Sequence, residues 1–185
     1  RGLGDVYKRQ RLYWSMVAVQ ALGGIPVPLY QDSVAGEMVY VLENADVKYA
    51  IVQNQEQTDK LLEIKDRLPI LEHICYEEPR GMRDYTQEFI HYYKDIQGQG
   101  SAYNSENPDF YLHEIEQGQG SDIAIFLYTS GTTGKPKGVV LTQDNLLITS
   151  LNCLAFDNIT GEEEALAYLP MAWVGDNLFS FAQAY

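Results

Sequence analysis

A glycine-rich stretch at 129–138, reading TSGTTGKPKG, holds the residues whose types and spacing could do chemistry. Its three glycines let the backbone adopt positive φ and approach a ligand closely. Successive backbone N–H groups in such a loop form an anion-binding concavity, and lysine adds charge for phosphate oxygens. The candidate phosphate-binding residues are Thr129, Ser130, Gly131, Thr132, Thr133, Gly134, Lys135 and Lys137.

Spacing excludes two other kinds of phosphate loop. A Walker A loop needs Gly five residues before the Gly-Lys pair and Ser or Thr directly after that pair. Thr129 and Pro136 occupy those two positions here. The stretch does not match the dinucleotide pattern GxGxxG either. A surface loop of Gly, Ser and Thr that only joins two strands is the alternative without chemistry.

The elements around the stretch would place it at the end of a buried strand. The segment DIAIFLY at 122–128 predicts that strand, which runs straight into the glycines. VVLT at 139–142 is strand-like, and 143–156 is predicted to be a helix. Open α/β sheets bind ligands beyond their strand ends, so this position favours a binding loop. Another strand is expected at 163–170, followed by an amphipathic helix.

The first part of the chain alternates between predicted strands and helices. The expected elements are a buried helix at 12–22, a strand at 25–30, a helix capped by Ser33, a strand at 48–54, a helix at 55–68 and a strand at 71–77. This order is typical of a parallel sheet covered by helices. Beyond it we expect a helix at 84–96, flexible loops at 97–101 and 117–121, and a short helix at 108–116. The fold class is therefore α/β, with parallel or mixed sheets flanked by helices.

Composition narrows the possible partners. The 13 Lys plus Arg and 26 Asp plus Glu give a formal net charge of −13, which argues against non-specific nucleic-acid binding and against a polybasic membrane surface. No run approaches the ~18 apolar residues of a membrane span. Cys75 and Cys153 indicate neither a disulfide scaffold nor a zinc site. We expect a cytoplasmic protein, and peripheral membrane association stays open.

The cations are unevenly placed. Residues 1–10 carry three of them and are interpreted as a tail foreign to the domain, with an ordinary N-terminal loop as the alternative. From Asp95 to Tyr185 there are 12 acidic residues and two basic ones, and both basic residues lie in the glycine-rich stretch. His73, His91 and His113 share no metal-ligand spacing, so no metal ligands are assigned.

The run YTSGTTGKPKGV at 128–139 resembles the phosphate-binding signature of the adenylate-forming, AMP-binding superfamily. That superfamily includes acyl- and aryl-CoA synthetases, luciferases and peptide-synthetase adenylation domains. ALGGIPVPLY, SVAGEMVYVLENADVKYAIV and EEALAYLP also resemble the large N-terminal domain of these enzymes, most closely that of long-chain fatty acyl-CoA synthetases. The resemblance covers about 11–185 and implies an incomplete N-terminal domain.

The resemblance implies a two-step reaction with ATP, Mg²⁺ and coenzyme A. ATP and a fatty acid give an acyl-adenylate and pyrophosphate, and the thiol of coenzyme A then displaces AMP. The segment from Thr129 to Gly134 would wrap the β- and γ-phosphates, and Lys137 matches the family lysine. Lys135 stands where the family tolerates many residues.

Trp173 stands where the long-chain branch often has His after LP-x-A. The resemblance makes it a candidate substrate residue at the mouth of an acyl tunnel, and a Trp packed under the sheet is the alternative. Asp176 and Asn177 are then expected on a helix surface. The family's magnesium-binding Glu, ribose-binding Asp and C-terminal Lys lie downstream, so no catalytic residue is assigned and the chain alone is expected to be inactive.

Two other functions stay open at this point. One is a ligase for another carboxylic acid, aryl or medium-chain, because the sequence does not fix the acid. The other is a truncated, non-catalytic fragment that binds phosphate or docks a partner without turnover. In the favoured hypothesis the partners are a fatty acid, ATP and coenzyme A, with no nucleic acid and no membrane-spanning segment.

Overall fold

The computed structural model describes residues 10–129, 135–160, 162, 164 and 167–178. The chain divides into two compact units. Residues Gln31–His113 form the first, called here the parallel-sheet unit. Residues Arg1–Tyr30 and Glu114–Tyr185 form the second, called here the hairpin unit. The tail predicted at 1–10 lies outside the described residues except for Gln10.

The parallel-sheet unit is built around three short strands. Its elements are α2 Ala35–Asn44, β1 Tyr49–Val52, α3 Gln55–Ile64, a 3₁₀ turn at Lys65–Arg67, β2 His73–Tyr76, β3 Ile90–Tyr92, α4 Tyr93–Glu106 and α5 Phe110–Glu116, whose last turn belongs to the other unit. The strand order is β1-β2-β3, and both pairings are parallel. The predicted parallel sheet with flanking helices is confirmed.

Apolar side chains at helical spacing form the core of this unit. In α2 the predicted stripe of Met38, Val41 and Leu42 is buried. In α3 the inward positions include Leu61 and Ile64, both at most 3% exposed. The helix begins where the Asn54 side chain accepts a hydrogen bond from the Gln57 backbone N–H at 3.3 Å. α3 packs against β2, whereas Tyr49 and Ile51 of β1 stay exposed.

Three predictions for this unit are wrong. Ser33 does not cap α2, because the N-cap is Val34, which makes no side-chain cap hydrogen bond. The helix expected at 84–96 contains β3 instead, because Ile90 pairs with Ile74 in the sheet and that ladder outweighs local spacing. The loop expected at 97–101 lies inside α4, because glycine weakens a helix by only about 1 kcal/mol and does not forbid it.

The hairpin unit is built around two antiparallel strands. Its elements are α1 Gln10–Ala21, β4 Ile123–Thr129, β5 Lys137–Thr142, α6 Gln143–Asp157 and the single turn α7 Val174–Asp176. β4 and β5 pair from Ile123↔Thr142 to Thr129↔Lys137. The core cluster consists of Met16, Ala124, Ile125, Leu127, Leu146 and Met171. The strands and the helix expected around the glycine-rich stretch are present in the structure.

Other expectations for this unit need correction. The helix at 12–22 is α1, but only one face is buried, and Trp14 is 48% exposed. Residues 25–30 form no strand, because Pro26 and Pro28 have no N–H for a ladder. The Pro26 carbonyl still accepts a hydrogen bond from the Phe126 N–H at 3.0 Å. The strand expected at 163–170 falls partly outside the described residues, and its described positions, 164 and 167–170, form no strand.

Candidate functional site

The end of the β4–β5 hairpin positions the glycine-rich stretch. Thr129 is the last residue of β4, Lys137 is the first of β5, and the two are register partners. The Thr129 hydroxyl lies 3.5 Å from the Lys137 carbonyl oxygen, to which it donates. The structure therefore brings the two ends of the stretch together. The predicted residues between them, Ser130, Gly131, Thr132, Thr133 and Gly134, lie outside the described residues.

Both strands are anchored away from this end. β4 buries Ala124, Ile125, Leu127 and Tyr128. A register irregularity follows Ile123, and the Ala124 carbonyl there accepts a hydrogen bond from the Gln20 side chain of α1 at 2.8 Å. β5 runs directly into α6, so this helix anchors the hairpin at the end opposite the glycine-rich stretch.

The third glycine of the stretch, Gly138, lies close to an aromatic ring of β4. A Cβ atom built on Gly138 would lie 2.2 Å from Cε2 and 2.6 Å from Cζ of Phe126. The Phe126 ring also stacks on Tyr128, with ring centroids 5.0 Å apart. A larger residue at position 138 would meet the far edge of the Phe126 ring, which would have to shift away from it.

Positive charge is concentrated at this end of the hairpin. Lys135 and Lys137 are both exposed. Within the described part of 114–178 they are the only Lys or Arg residues. Two ammonium groups that follow Gly134 so closely can pair with the oxygens of one polyphosphate. The arrangement can therefore bind an anion with several negative charges.

Trp173 lies on the turn that precedes α7. Its backbone N–H donates to the Pro170 carbonyl at 2.9 Å, and its side chain is 53% exposed. A half-exposed indole is not packed under a sheet in the described part of the molecule. It presents a flat apolar face that another apolar group could cover.

Asp176 and Asn177 correct a prediction, because both are fully buried rather than on a helix surface. The Tyr13 hydroxyl donates to Asp176 Oδ2 at 3.3 Å. The Asn177 side chain donates to two carbonyls of its own turn. Such local hydrogen bonds allow polar side chains to be buried.

Burial raises the pKa of Tyr13, and the Asp176 charge and hydrogen bond raise it further. The spacing of apolar residues in the sequence gave no indication of the hydrogen bonds that Asp176 and Asn177 make.

The structure also places side by side two histidines that are 18 positions apart in the sequence. His73 Nδ1 lies 2.8 Å from His91 Nε2, because β2 and β3 are adjacent parallel strands. Tyr49 stacks on His73 with ring centroids 5.4 Å apart. Even so, the described residues contain no group of three or more His, Cys, Asp or Glu side chains that could hold a metal ion.

Within 10–129, 135–160 and 167–178, no helix is long and apolar enough to cross a membrane.

Known proteins match this chain over nearly its whole length. The profile of the family described as AMP-binding enzyme matches residues 7–182. The long-chain-fatty-acid–CoA ligase ACSBG2 of Xenopus laevis is 32% identical over 173 residues, covering 87% of this chain and 22% of that protein. ACSBG2 of Homo sapiens is 30% identical over 173 residues, covering 87% of this chain and 24% of that protein. The chain thus spans about a quarter of the length of these relatives.

Solved structures share the fold. ATP-bound MatB from Rhodopseudomonas palustris superimposes with a TM-score of 0.66 and 20% sequence identity. The match covers 95% of this chain and 31% of that protein. At this level of identity the similarity establishes the architecture, and it does not transfer a substrate.

Proposed function

Because this chain belongs to the AMP-binding enzyme family, we propose that it is the part of an acid–thiol ligase that holds the phosphates of ATP. The observation that carries the proposal is the hairpin end, where Thr129 and Lys137 pair across the glycine-rich stretch. This geometry supports a turn of backbone N–H groups with an ammonium group at its base.

The proposed chemistry uses that turn as a phosphate clamp. The carboxylate of the acid attacks the α-phosphorus of ATP, the bond to the bridging oxygen breaks, and pyrophosphate leaves. Lys137 and Lys135 offset the charge that develops on the leaving group, as in other phosphoryl transfers. The thiol of coenzyme A then attacks the acyl carbon, and AMP leaves. The residues from Ser130 to Gly134 are proposed to wrap the β- and γ-phosphates.

The proposed acid is a long-chain fatty acid. Two relatives at 32% and 30% identity are named long-chain-fatty-acid–CoA ligases, which supports this acid over an aryl or medium-chain one. The half-exposed indole of Trp173 is proposed to contact the acyl chain. Mg²⁺ remains a prediction from the resemblance: the described residues contain no cluster that could hold it, and we assign it no ligand. A cytoplasmic location, with or without peripheral membrane contact, is likewise a proposal.

The test uses the full polypeptide that carries this chain. It is incubated with ATP, coenzyme A and palmitate, hexanoate or benzoate, and acyl-CoA is measured by mass spectrometry. We expect palmitoyl-CoA as the main product. Lys137→Met should lower the rate about 100-fold, because it removes a charge that acts in the transition state. Lys94→Met, a change at an exposed lysine of α4, is the matched control and should leave the rate unchanged.

Two results would contradict the proposal. One is the absence of any acyl-CoA from all three acids, and the other is an equal rate for Lys137→Met and Lys94→Met. A preference for benzoate or hexanoate would retain the ligase and replace the acid. For the 185-residue chain alone, we expect no ATP–pyrophosphate exchange above background with palmitate.

A further inference from the structure

Two imidazole rings meet on one face of the parallel sheet. Because side chains alternate along a strand, His73 lies on the face opposite that of the fully buried Ile74. His91 pairs in register with Cys75, so it shares the face of His73 and is its diagonal neighbour. His73 Nδ1 lies 2.8 Å from His91 Nε2, and the ring centroids are 4.9 Å apart. Two nitrogen donors therefore converge at one point on the sheet.

Backbone and ring contacts hold both histidines in place. The strands β2 and β3 are hydrogen-bonded neighbours, and the Ile74 N–H donates to the Phe89 carbonyl at 2.8 Å. The Tyr49 ring of β1 stacks on His73, with the two ring planes 15° from parallel. His73 is exposed and His91 is half-buried, so solvent reaches the pair. The two side chains are thus positioned before any ligand arrives, which lowers the cost of binding one.

Imidazole nitrogens at this spacing are suited to a transition-metal ion. Metal–imidazole bonds are about 2.0–2.1 Å long, so two such nitrogens lie about 2.9 Å apart on adjacent corners of a square and about 3.3 Å apart on a tetrahedron. The observed 2.8 Å is nearer to the square arrangement, which Cu²⁺ and Ni²⁺ favour. Mg²⁺ prefers oxygen ligands and is not suited to this pair.

Cys75 does not add a third ligand. It shares the sheet face of the two histidines, but its side chain is buried, and burial raises the pKa of its thiol to about 11. A metal ligand must be a thiolate, which this thiol does not form near neutral pH. Because the part of the chain that the structure describes has no group of three or more candidate ligands, an ion here takes two protein nitrogens and leaves its other positions to water.

We propose that His73 and His91 form a bidentate site for a divalent copper or nickel ion, which joins β2 to β3 and keeps water in its remaining positions. In the hydrogen bond between the rings, one of the two facing nitrogens carries a proton. The ion takes the place of that proton, which returns through solvent to the far nitrogen of the same ring, so both rings stay neutral. The formal net charge of −13 favours the approach of a cation. This inference is independent of the proposed ligase, because it uses no residue of the glycine-rich stretch.

Titration calorimetry of the full polypeptide with copper sulfate tests the affinity. His73→Gln or His91→Gln should weaken one Cu²⁺ site about 100-fold, because the second bond of a chelate forms at a high effective concentration. His113→Gln, a change at an exposed histidine of α5, is the matched control and should leave the affinity unchanged. An excess of Mg²⁺ should not compete. Equal Cu²⁺ affinity in His73→Gln and His113→Gln would overturn the proposal.

Electron paramagnetic resonance tests the number of nitrogens on the ion. With one equivalent of Cu²⁺, the unchanged polypeptide and His113→Gln should both show splitting from two imidazole nitrogens. His73→Gln and His91→Gln should each lose that pattern. A spectrum that stays the same in His73→Gln would place the copper elsewhere and contradict the assignment.

Thermal unfolding separates an ion site from a hydrogen bond that only joins two strands. An ion that binds the folded state raises the unfolding temperature, so nickel sulfate should stabilise the unchanged polypeptide and His113→Gln but not His73→Gln. Circular dichroism confirms that the three variants are folded. If nickel and copper leave the unchanged polypeptide unaffected while His73→Gln unfolds at a lower temperature, the pair is a structural hydrogen bond and the metal site is rejected.

Discussion

The parallel-sheet unit and the hairpin unit both bury apolar strands, but they treat their polar groups differently. In the parallel-sheet unit the buried side chains of Thr58 and Gln57 donate to the backbone carbonyls of Asn54 and Gln31, at 3.0 and 3.1 Å. In the hairpin unit the buried Oδ1 of Asn177 has no partner in the described residues. The buried side-chain donors named in both units find partners within their own unit, and the buried acceptor without a partner in the described residues belongs to the hairpin unit.

Within the hairpin unit a buried strand and an exposed strand lie side by side. Ile74 of β2 is fully buried, and so is Ile125 of β4, yet β5 is exposed along most of its length beside β4. The hairpin unit also carries all the residues nominated for ATP and acyl binding. The difference shows how a family domain separates its tasks: apolar burial holds the strands, and the groups left exposed at a strand end are available for chemistry.

The largest expected effect tests how much the fully buried strand residues contribute to folding stability. Ile74→Ala and Ile125→Ala should each lower the free energy of unfolding by about 3 kcal/mol, because both side chains are 0% exposed and truncation leaves a cavity. Val140→Ala on β5, where the side chain is 47% exposed, should cost less than about 0.5 kcal/mol. Urea denaturation followed by circular dichroism measures all three. Equal losses would mean that β5 is packed like β4.

The next largest expected effect is a loss of folding stability as pH rises, and it arises in the parallel-sheet unit. Burial raises the pKa of the Cys75 thiol from its ordinary value of 9.0 to about 11. Between these values the unfolded thiol ionises while the folded thiol stays protonated, so folding stability is complete below pH 9 and falls as pH rises towards about 11. The loss should approach about 2 kcal/mol.

The matched variant for that pH effect is Cys75→Val, which keeps an apolar side chain of similar size and removes the titrating thiol. Urea denaturation at several pH values should give a shallower decline for this variant than for the unchanged chain. Identical declines would show that other groups cause the effect.

The smallest effect compares a helix cap from each unit. Asn54 accepts from the Gln57 N–H at the start of α3, and Thr142 accepts from the Asn145 N–H at 3.2 Å at the start of α6. Asn54→Ala and Thr142→Ala should each cost about 1 kcal/mol. Ser33→Ala is the control, because Ser33 caps no helix in the structure, and it should cost less than about 0.5 kcal/mol. A loss at Ser33 as large as at Asn54 would contradict the cap assignment.

Sequence reasoning succeeded where local pattern and structure agree. The alternation of strand and helix from 48 to 76 and the strand–loop–strand order around the glycine-rich stretch follow from apolar periodicity and turn residues, so both were predictable. It failed where a segment takes its structure from pairing with another part of the chain. β3 forms because Ile90 meets Ile74, and no signal within 84–96 reveals that partner.

The candidate site divides in the same way. The glycine-rich stretch was visible because its residues are consecutive, and the ends of the stretch meet as a hairpin would require. The burial of Asp176 and Asn177 was not predicted, because it depends on Tyr13, which lies 163 positions away, and on carbonyls of the turn itself. The His73–His91 contact was missed for the same reason, since only the sheet brings the rings together.

The central claim is that the hairpin end binds phosphates, and titration calorimetry on the chain with ATP and with inorganic tripolyphosphate tests it most directly. We predict that both bind and compete for one site, that Lys137→Met weakens both about tenfold, and that Lys94→Met weakens neither. Lys135→Met should have a smaller effect than Lys137→Met. Tripolyphosphate that fails to compete with ATP, or equal affinity in Lys137→Met and the unchanged chain, would contradict the account.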